Sequence, residues 1–552
     1  MRGSARFSRL RLRLLVVVAA FVVTVSVAAA QPPTPGGFGW AHHGHASLPP
    51  RLSAPAATPA RVTAAGAAKK PGPPVTLCVG GKPKPACYPS IQAAVDAAHD
   101  GDTIKVAPGT YAGGVVIDVS VDIVGAGAEK TIIKGGGPVV TVFRDVDPGG
   151  LTVSIRGVTI TGGVNNSKPD DEVTSGGGIW IPTAQLPDPP FEATGATVRI
   201  DDSAITGNTV TSASVVPPGG FCGPLSCGFN SGGGIDNGGV LTITDTQISG
   251  NTAGSTPSLV SLASGTTAGG IKNRLQATLV LRRSSVTGNH AIATGPNGQF
   301  ANTGGIDSGG SLTIDDSVVS DNTAESTSAF SADVSETEAT YGGIHVWSCC
   351  GYDGAARITN TTIRHNTATA TNLNPAGLTV GFAGGIDVDG TLVLERSVVS
   401  DNVVRSVSAG DAIADGGGLE VEGEATIRDS LISHNSVIAE AGGGALAEGA
   451  GIANAGKLTL ERTRVLDNTL SATGPGTPVF GFPSEVKGGG IWNGSFGGPS
   501  PELTLTDSTV SHNSLSAPGT FVIQGGGLFT DFPVTVKHTK IKDNTPDQCF
   551  GC

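Results

Sequence analysis

The sequence predicts an all-β fold, a single-stranded right-handed parallel β-helix solenoid with a short N-terminal capping helix. Three observations carry this. First, an eleven-residue pattern, apolar-x-apolar-x-x-[Ser/Thr]-x-[Val/Ile]-x-x-Asn, recurs in eleven segments, among them 241–251 and 503–513. Second, ten of these segments are preceded by a Gly-Gly-[Ile/Leu] step, Ala-Gly-Ile in the copy at 450–452. Third, Gly is 83 of 552 residues, while charged residues are 14% and aromatic residues 5%. That composition suits many short strands joined by tight turns.

The N-terminus reads as a targeting segment. Arg2, Arg6, Arg9, Arg11 and Arg13 precede an apolar run from Leu14 to Val27, and Ala28-Ala29-Ala30 offers a small-residue cleavage site. Residues 1–30 are therefore expected to be a signal peptide, with the mature protein secreted or held at the cell surface. No later run reaches the ~20 apolar residues of a membrane span. Residues 31–75 are rich in Pro and Ala, lack apolar periodicity and read as a disordered linker. The β-helix is expected over 76–552.

The helix opens that domain. Ser90-Ile91-Gln92-Ala93-Ala94-Val95-Asp96-Ala97-Ala98 has a Ser N-cap and an apolar face suited to covering the open end of a solenoid. Short strands follow at 103–106, 115–117, 121–124 and 131–133. The repeats then run to the end of the sequence. Asn closes each at 208, 251, 289, 322, 366, 402, 435, 468, 513 and 544, with Gly163 in its place in the first copy. From the Gly-Gly Ile/Leu to Asn is 16 residues in six copies, whereas from Asn to the next such step it varies from 15 to 27. Each coil thus has a near-fixed half and a variable half. Three strands per coil are expected, with inward Ile/Val columns and an internal amide ladder of the recurring Asn.

Two columns read as turn and register devices. The residue before the ladder Asn runs Gly207, Gly250, Gly288, Asp321, His365, Asp401, His434, Asp467, His512, Asp543, all types tolerated in left-handed turns. A second column runs from Asp202 and Asp245 through Arg283, Asp316, Asn360, Arg396, Asp429, Arg462 and Asp507 to His538. Its largely alternating charge suits pairing between adjacent coils. The eight cysteines fall in close pairs, and Cys78–Cys87, Cys222–Cys227 and Cys549–Cys552 are the expected disulfides of an exported chain.

Residues 88–98, followed by Gly101-Asp102-Thr103-Ile104-Lys105-Val106-Ala107-Pro108-Gly109-Thr110-Tyr111, resemble the opening of pectin lyase-like β-helix proteins. The Gly-Gly-Ile and x-x-Asn repeats are similar to those of polymorphic outer-membrane and adhesin-like proteins, with Val or Ile where those carry Phe. The resemblance covers about 76–552 and implies a fold rather than a chemistry. Enzymes of this superfamily use paired Asp residues, or an acidic Ca²⁺ site with an Arg or Lys base. Asp201-Asp202 and Asp315-Asp316 are adjacent on strands and point to opposite faces, so they do not supply such a pair.

A net charge of −12 excludes nucleic acid as the natural partner. The expected role is a binding, adhesin-like or structural one, as a monomer, toward a polysaccharide or host-surface ligand. The alternative is a polysaccharide lyase or hydrolase acting on an acidic glycan in the groove, with Lys272 as base. The candidate site lies where Ile386, Val388, Leu419 and Val421 face inward. Asp387, Asp389, Glu420 and Glu422 should then form one outward, solvated rectangle of carboxylates. Oxygen ligands at that spacing favour Ca²⁺, bound at about 10⁻⁴–10⁻³ M; no other cofactor is expected.

Overall fold

The computed structural model describes residues 73–552 apart from 82–86, 145–147, 167–172, 186–191, 194, 214–228, 257–263, 296–298, 330–335, 349–351, 478–483, 496–498 and 520. The signal segment, nearly all of the linker and the pairs Cys222/Cys227 and Cys349/Cys350 lie outside the described residues.

Apart from one short antiparallel pair, Ala184–Gln185 with Glu192–Ala193, the strands stack into five parallel sheets. In coil order, sheet I has 14 strands, from Thr76–Val79 to Val534–Lys537, and sheet II has 13, from Gly109–Ala112 to Lys540–Lys542. Sheets III and IV have 10 each, from Val164–Asn166 to Ser514–Ser516 and from Val173–Ser175 to Val522–Gln524. Sheet V has 13, from Val115–Ile117 to Cys549–Phe550. Fourteen stacked strands at ~4.8 Å give a column of roughly 60 Å. This is a parallel β-helix, as the repeats predict.

Sheets I, II and V enclose one core of Ile, Val and Leu, including Ile243, Ile248, Leu394, Val399 and Ile386. The expected three strands per coil are therefore an undercount. The variable half is not a plain loop: it leaves the core as sheet III and returns as sheet IV, making a thin wing. The wing has its own core of small residues, among them Val404, Ala412, Ala414, Val437 and Ala439. Ala and Ser carry too little apolar surface for periodicity to mark these strands. The length differences between coils fall mostly between the sheet III and sheet IV strands, at the wing tip, with further insertions between sheets V and I after Ile179–Ile181, Ile344–Val346 and Ile491–Asn493.

The Asn ladder sits at the neck of the wing. Nine consecutive amide bonds of 2.8–3.0 Å link Asn208 to Asn544, each from Nδ2 to the next Oδ1. Each Nδ2 also donates to a backbone carbonyl of the preceding coil, as Asn402 does to Ile363 at 3.1 Å. Gln548 Oε1 closes the ladder by accepting from Asn544 at 3.0 and 3.2 Å. The Gly-Gly step exists for the same neck. A Cβ on Gly234, Gly418 or Gly490 would lie 2.8–2.9 Å from the amide of the ladder Asn of its own coil. The two motifs recur together because they touch.

Both turn columns are left-handed. Residues 202 to 538 of the charge column have φ of 45° to 51°. Its charges pair between coils, as in Arg283–Asp245 at 2.7 Å and Arg462–Asp429 at 2.6 Å. The helix, α1 (Ile91–Ala97), is capped by Ser90 Oγ, which accepts from Ala93 N at 3.1 Å, and buries Ile91, Ala94 and Val95 in the core. Cys78–Cys87 and Cys549–Cys552 are disulfides, one at each end of the column. At the C-terminal end Phe550 stacks on Phe529 at 5.6 Å. No helix among the described residues is long and apolar enough to cross a membrane.

Candidate functional site in the corner between sheets IV and V

The predicted carboxylates are in register: Asp387 pairs with Glu420 across adjacent coils, and His345 with Asp387 in the coil before. Ile386, Val388, Leu419 and Val421 face the main core, all fully buried. The expected solvated rectangle is nevertheless wrong in one respect. Asp387 is 2% and Glu420 6% exposed, while Asp389 and Glu422 are only half-buried. The reason is the wing. Sheet IV folds back beside sheet V, so the outer face of sheet V lies in a concave corner.

The turn from sheet IV into sheet V makes this corner tight. Its first residue is left-handed in ten coils, and is Gly at 176, 232, 416, 449, 488 and 525. That residue hangs over the middle of the following sheet V strand. A Cβ on Gly416 would lie 2.9 Å from that of Glu420, and one on Gly488 2.6 Å from that of Trp492. One coil departs sharply. Tyr341 occupies this position at φ 64°, a conformation that is an outlier for a bulky side chain. Its ring stacks on His345 with centroids 3.8 Å apart.

His345 is the centre of the cluster. Its Nε2 lies 3.3 Å from Asp387 Oδ2 and 3.6 Å from Asp389 Oδ2, and its Nδ1 lies 3.9 Å from Asp307 Oδ1. Asp307 is also 3.0 Å from Lys272 Nζ, which sits 4.8 Å from the centre of the Trp347 ring. Lys272 is thus tied into an ion pair. One coil earlier than Asp307, Arg274 reaches back to grip Asp236 of the preceding coil through two bonds of 2.7 and 2.8 Å and meets Ser175 Oγ at 2.7 Å.

The enclosure perturbs ionisation. Burial alone would raise Asp307, but Lys272 and His345 outweigh it and hold the carboxyl well below the usual range. Burial opposes a charge on His345, yet the nearby Asp307 and Asp389 carboxylates outweigh it and raise its pKa. Asp387 is pushed well up by burial and then by Asp389, Glu420 and Glu422. Tyr341 is raised above its ordinary value by burial and by Asp387, Asp389 and Glu420.

Sequence reasoning assigned no role to His345, Asp307 or Tyr341. The signal that could have found Tyr341 is local: an aromatic residue stands before Gly-Gly where most coils carry Gly. Among the described residues, His345, Asp387 and Asp389 form the set of His and carboxylate groups whose ligand atoms converge within 4.8 Å. Glu420 and Glu422 are outside that set.

Sheet topology and ladder define the chain as a parallel β-helix protein. No family model matches it, and no curated protein matches it. Among solved structures it is similar to the A-module of the Azotobacter vinelandii mannuronan C-5 epimerase AlgE6. The identity is 14% over 82% of this chain and 95% of that one, with a TM-score of 0.24.

Proposed function

We propose that this is an exported β-helix protein that binds a glycan along the corner between sheets IV and V. The observation that carries the reading is the buried cluster of Tyr341, His345, Asp307 and Asp387 in a concave, repeating surface. Ionisable groups whose pKa values are perturbed by burial and by a specific charge partner, gathered in a cleft, are candidates for a working site. The half-buried Trp180 and Trp347 belong to the same corner and offer flat apolar faces, while carboxylates offer acceptors for hydroxyl groups. A surface that repeats with every coil suits a ligand that repeats. Export is supported by the two disulfides and the leader-like N-terminus. The local charge selects among glycans. The acidic centre around Asp387 repels a polyanion, so a neutral or amino-bearing chain fits directly and a uronate polymer needs a bridging cation.

A lyase or hydrolase reading has one observation in its favour: Tyr341, His345 and Asp307 are proton-transfer groups held together with shifted ionisation. A glycan panel separates the two when binding is followed by calorimetry and turnover by new reducing ends or unsaturated products. Saturable binding without turnover supports the binding role. Turnover abolished by Tyr341→Phe transfers the site to the enzyme reading, and a panel with neither result removes both.

A further inference from the structure

We infer that His345, Asp387 and Asp389 form a binding site for a divalent first-row transition-metal ion, Zn²⁺ or Mn²⁺ rather than Ca²⁺. The distances carry the first part. Nε2 of His345 is 3.3 and 3.6 Å from the two Asp oxygens. Ligands ~2.0–2.2 Å from a common ion in a tetrahedral or octahedral shell are separated by ~3–3.5 Å. Two edges of such a shell are therefore nearly in place, and the three ligand atoms all lie within 4.8 Å of one another.

Burial and bonding carry the second part. Asp387 Oδ2 and both ring nitrogens of His345 are buried without a hydrogen-bond partner. Asp387 is 2% exposed. Buried polar atoms without partners are costly and call for an explanation such as an ion. An ion at this point would neutralise Asp387 and Asp389 and accept the Nε2 lone pair together.

The surroundings supply what a metal-binding histidine needs. Its other nitrogen, Nδ1, faces Asp307, which Lys272 holds in place at 3.0 Å. A carboxylate behind the second ring nitrogen fixes the tautomer and orients the ring. Tyr341 holds the ring plane from above, at the expense of a left-handed backbone that most other coils fill with Gly, Ala or Thr. Of the four non-Gly residues at this turn, Ala268, Thr303, Tyr341 and Ala383, Tyr341 is the aromatic one, and its strained backbone is what a functional position retains. The imidazole decides the ion. A nitrogen ligand suits Zn²⁺, Mn²⁺ and their neighbours, whereas Ca²⁺ takes oxygen ligands only. The all-oxygen site expected from sequence thus shifts by one coil and changes its ligand type.

The inference concerns the same corner as the proposed glycan site but does not need a glycan, so the two fail separately. The test uses the whole mature protein, stripped with EDTA and titrated calorimetrically with Zn²⁺, Mn²⁺ and Ca²⁺ in the absence of glycan. One site is expected, at least tenfold tighter for Zn²⁺ or Mn²⁺ than for Ca²⁺. His345→Ala and Asp389→Asn should each weaken it at least tenfold. Asp389 is half-buried, so Asp389→Asn keeps the test open if His345→Ala misfolds. The segment 31–75 carries three histidines, His42, His43 and His45, and comparison with Asp389→Asn also subtracts any metal they hold. Preference for Ca²⁺, affinity unchanged in a folded variant, or no binding would each overturn the inference. The last outcome would leave His345 as an imidazolium bridging carboxylates.

Discussion

Asn402 shows how one residue holds this fold. It accepts from the N–H and the side-chain amide of Asn366, at 3.0 and 2.9 Å, and donates to the Ile363 carbonyl. Replacing it by Leu leaves these buried groups unpaired. Asn402→Leu should therefore destabilise the protein by about 2–4 kcal/mol in denaturant unfolding; an unmoved midpoint would contradict the ladder. The facing glycine is as demanding. A Cβ on Gly385 would lie 3.0 Å from the Asn402 amide and closer still to the Gly418 carbonyl. Gly385→Ala should cost about 1–3 kcal/mol, whereas Gly519→Ala, with nothing within 4 Å of its Cβ, should stay within about 0.5 kcal/mol. Equal effects at the two positions would remove the steric account of the Gly-Gly step. The Asn and Gly-Gly patterns were each legible in the sequence, because both are fixed in residue type. That they are one device was not, since the residues concerned lie 16 or more apart along the chain and meet only at the neck of the wing.

At the scale of elements the wing decides what the molecule can do. Its strands escaped sequence reading because Ala dominates its core and its few Val and Leu residues, such as Val404, Val437 and Leu470, give no sustained alternation like that of sheets I, II and V. Missing it turned a buried corner into an expected open face, although the register and inward side of residues 386–388 and 419–421 were legible from period-two alternation. The wing also carries a testable charge effect. On sheet IV, burial and the neighbouring Glu338 push Glu336 up to about 8, and burial pushes Glu338 up to about 7. Carboxyls raised above their unfolded value near 4.5 favour folding fully only below that pH, and the benefit is lost as pH rises toward 8. Glu336→Gln with Glu338→Gln should thus raise Tm by about 1–3 °C at pH 8 and leave it unchanged at pH 4. An equal shift at both pH values would contradict this. At the N-terminal end, Cys78–Cys87 closes a loop of separation 9 beside α1. Cys78→Ser with Cys87→Ser should cost about 2–3 kcal/mol, read as faster amide exchange in the first strands of sheet I. Faster exchange in mid-column strands instead would mean that the clip holds more than the end.

The whole molecule is a repetitive scaffold with one irregular place. Nearly every coil repeats the same ladder, left-handed turns and cross-coil ion pairs, and these account for stability without accounting for Tyr341. That residue, with His345, Asp307, Asp387 and Asp389, departs from the repeat at one point along the corner. Sequence reasoning fixed the solenoid because a solenoid is a pattern. It found half of the site because a site is the exception to the pattern, assembled from sheets IV and V whose juxtaposition depends on the wing.

The most direct test of the corner as the binding surface uses the tryptophans already there. Of the four in the chain, Trp180, Trp347 and Trp492 belong to sheet V and the turn that leaves it. Titrating the folded protein with glycans found by calorimetry, while following tryptophan emission, should give a saturable change with the same midpoint as the heat. Trp347→Phe should reduce it. Calorimetric binding with unchanged emission would place the ligand elsewhere on the molecule and contradict the account.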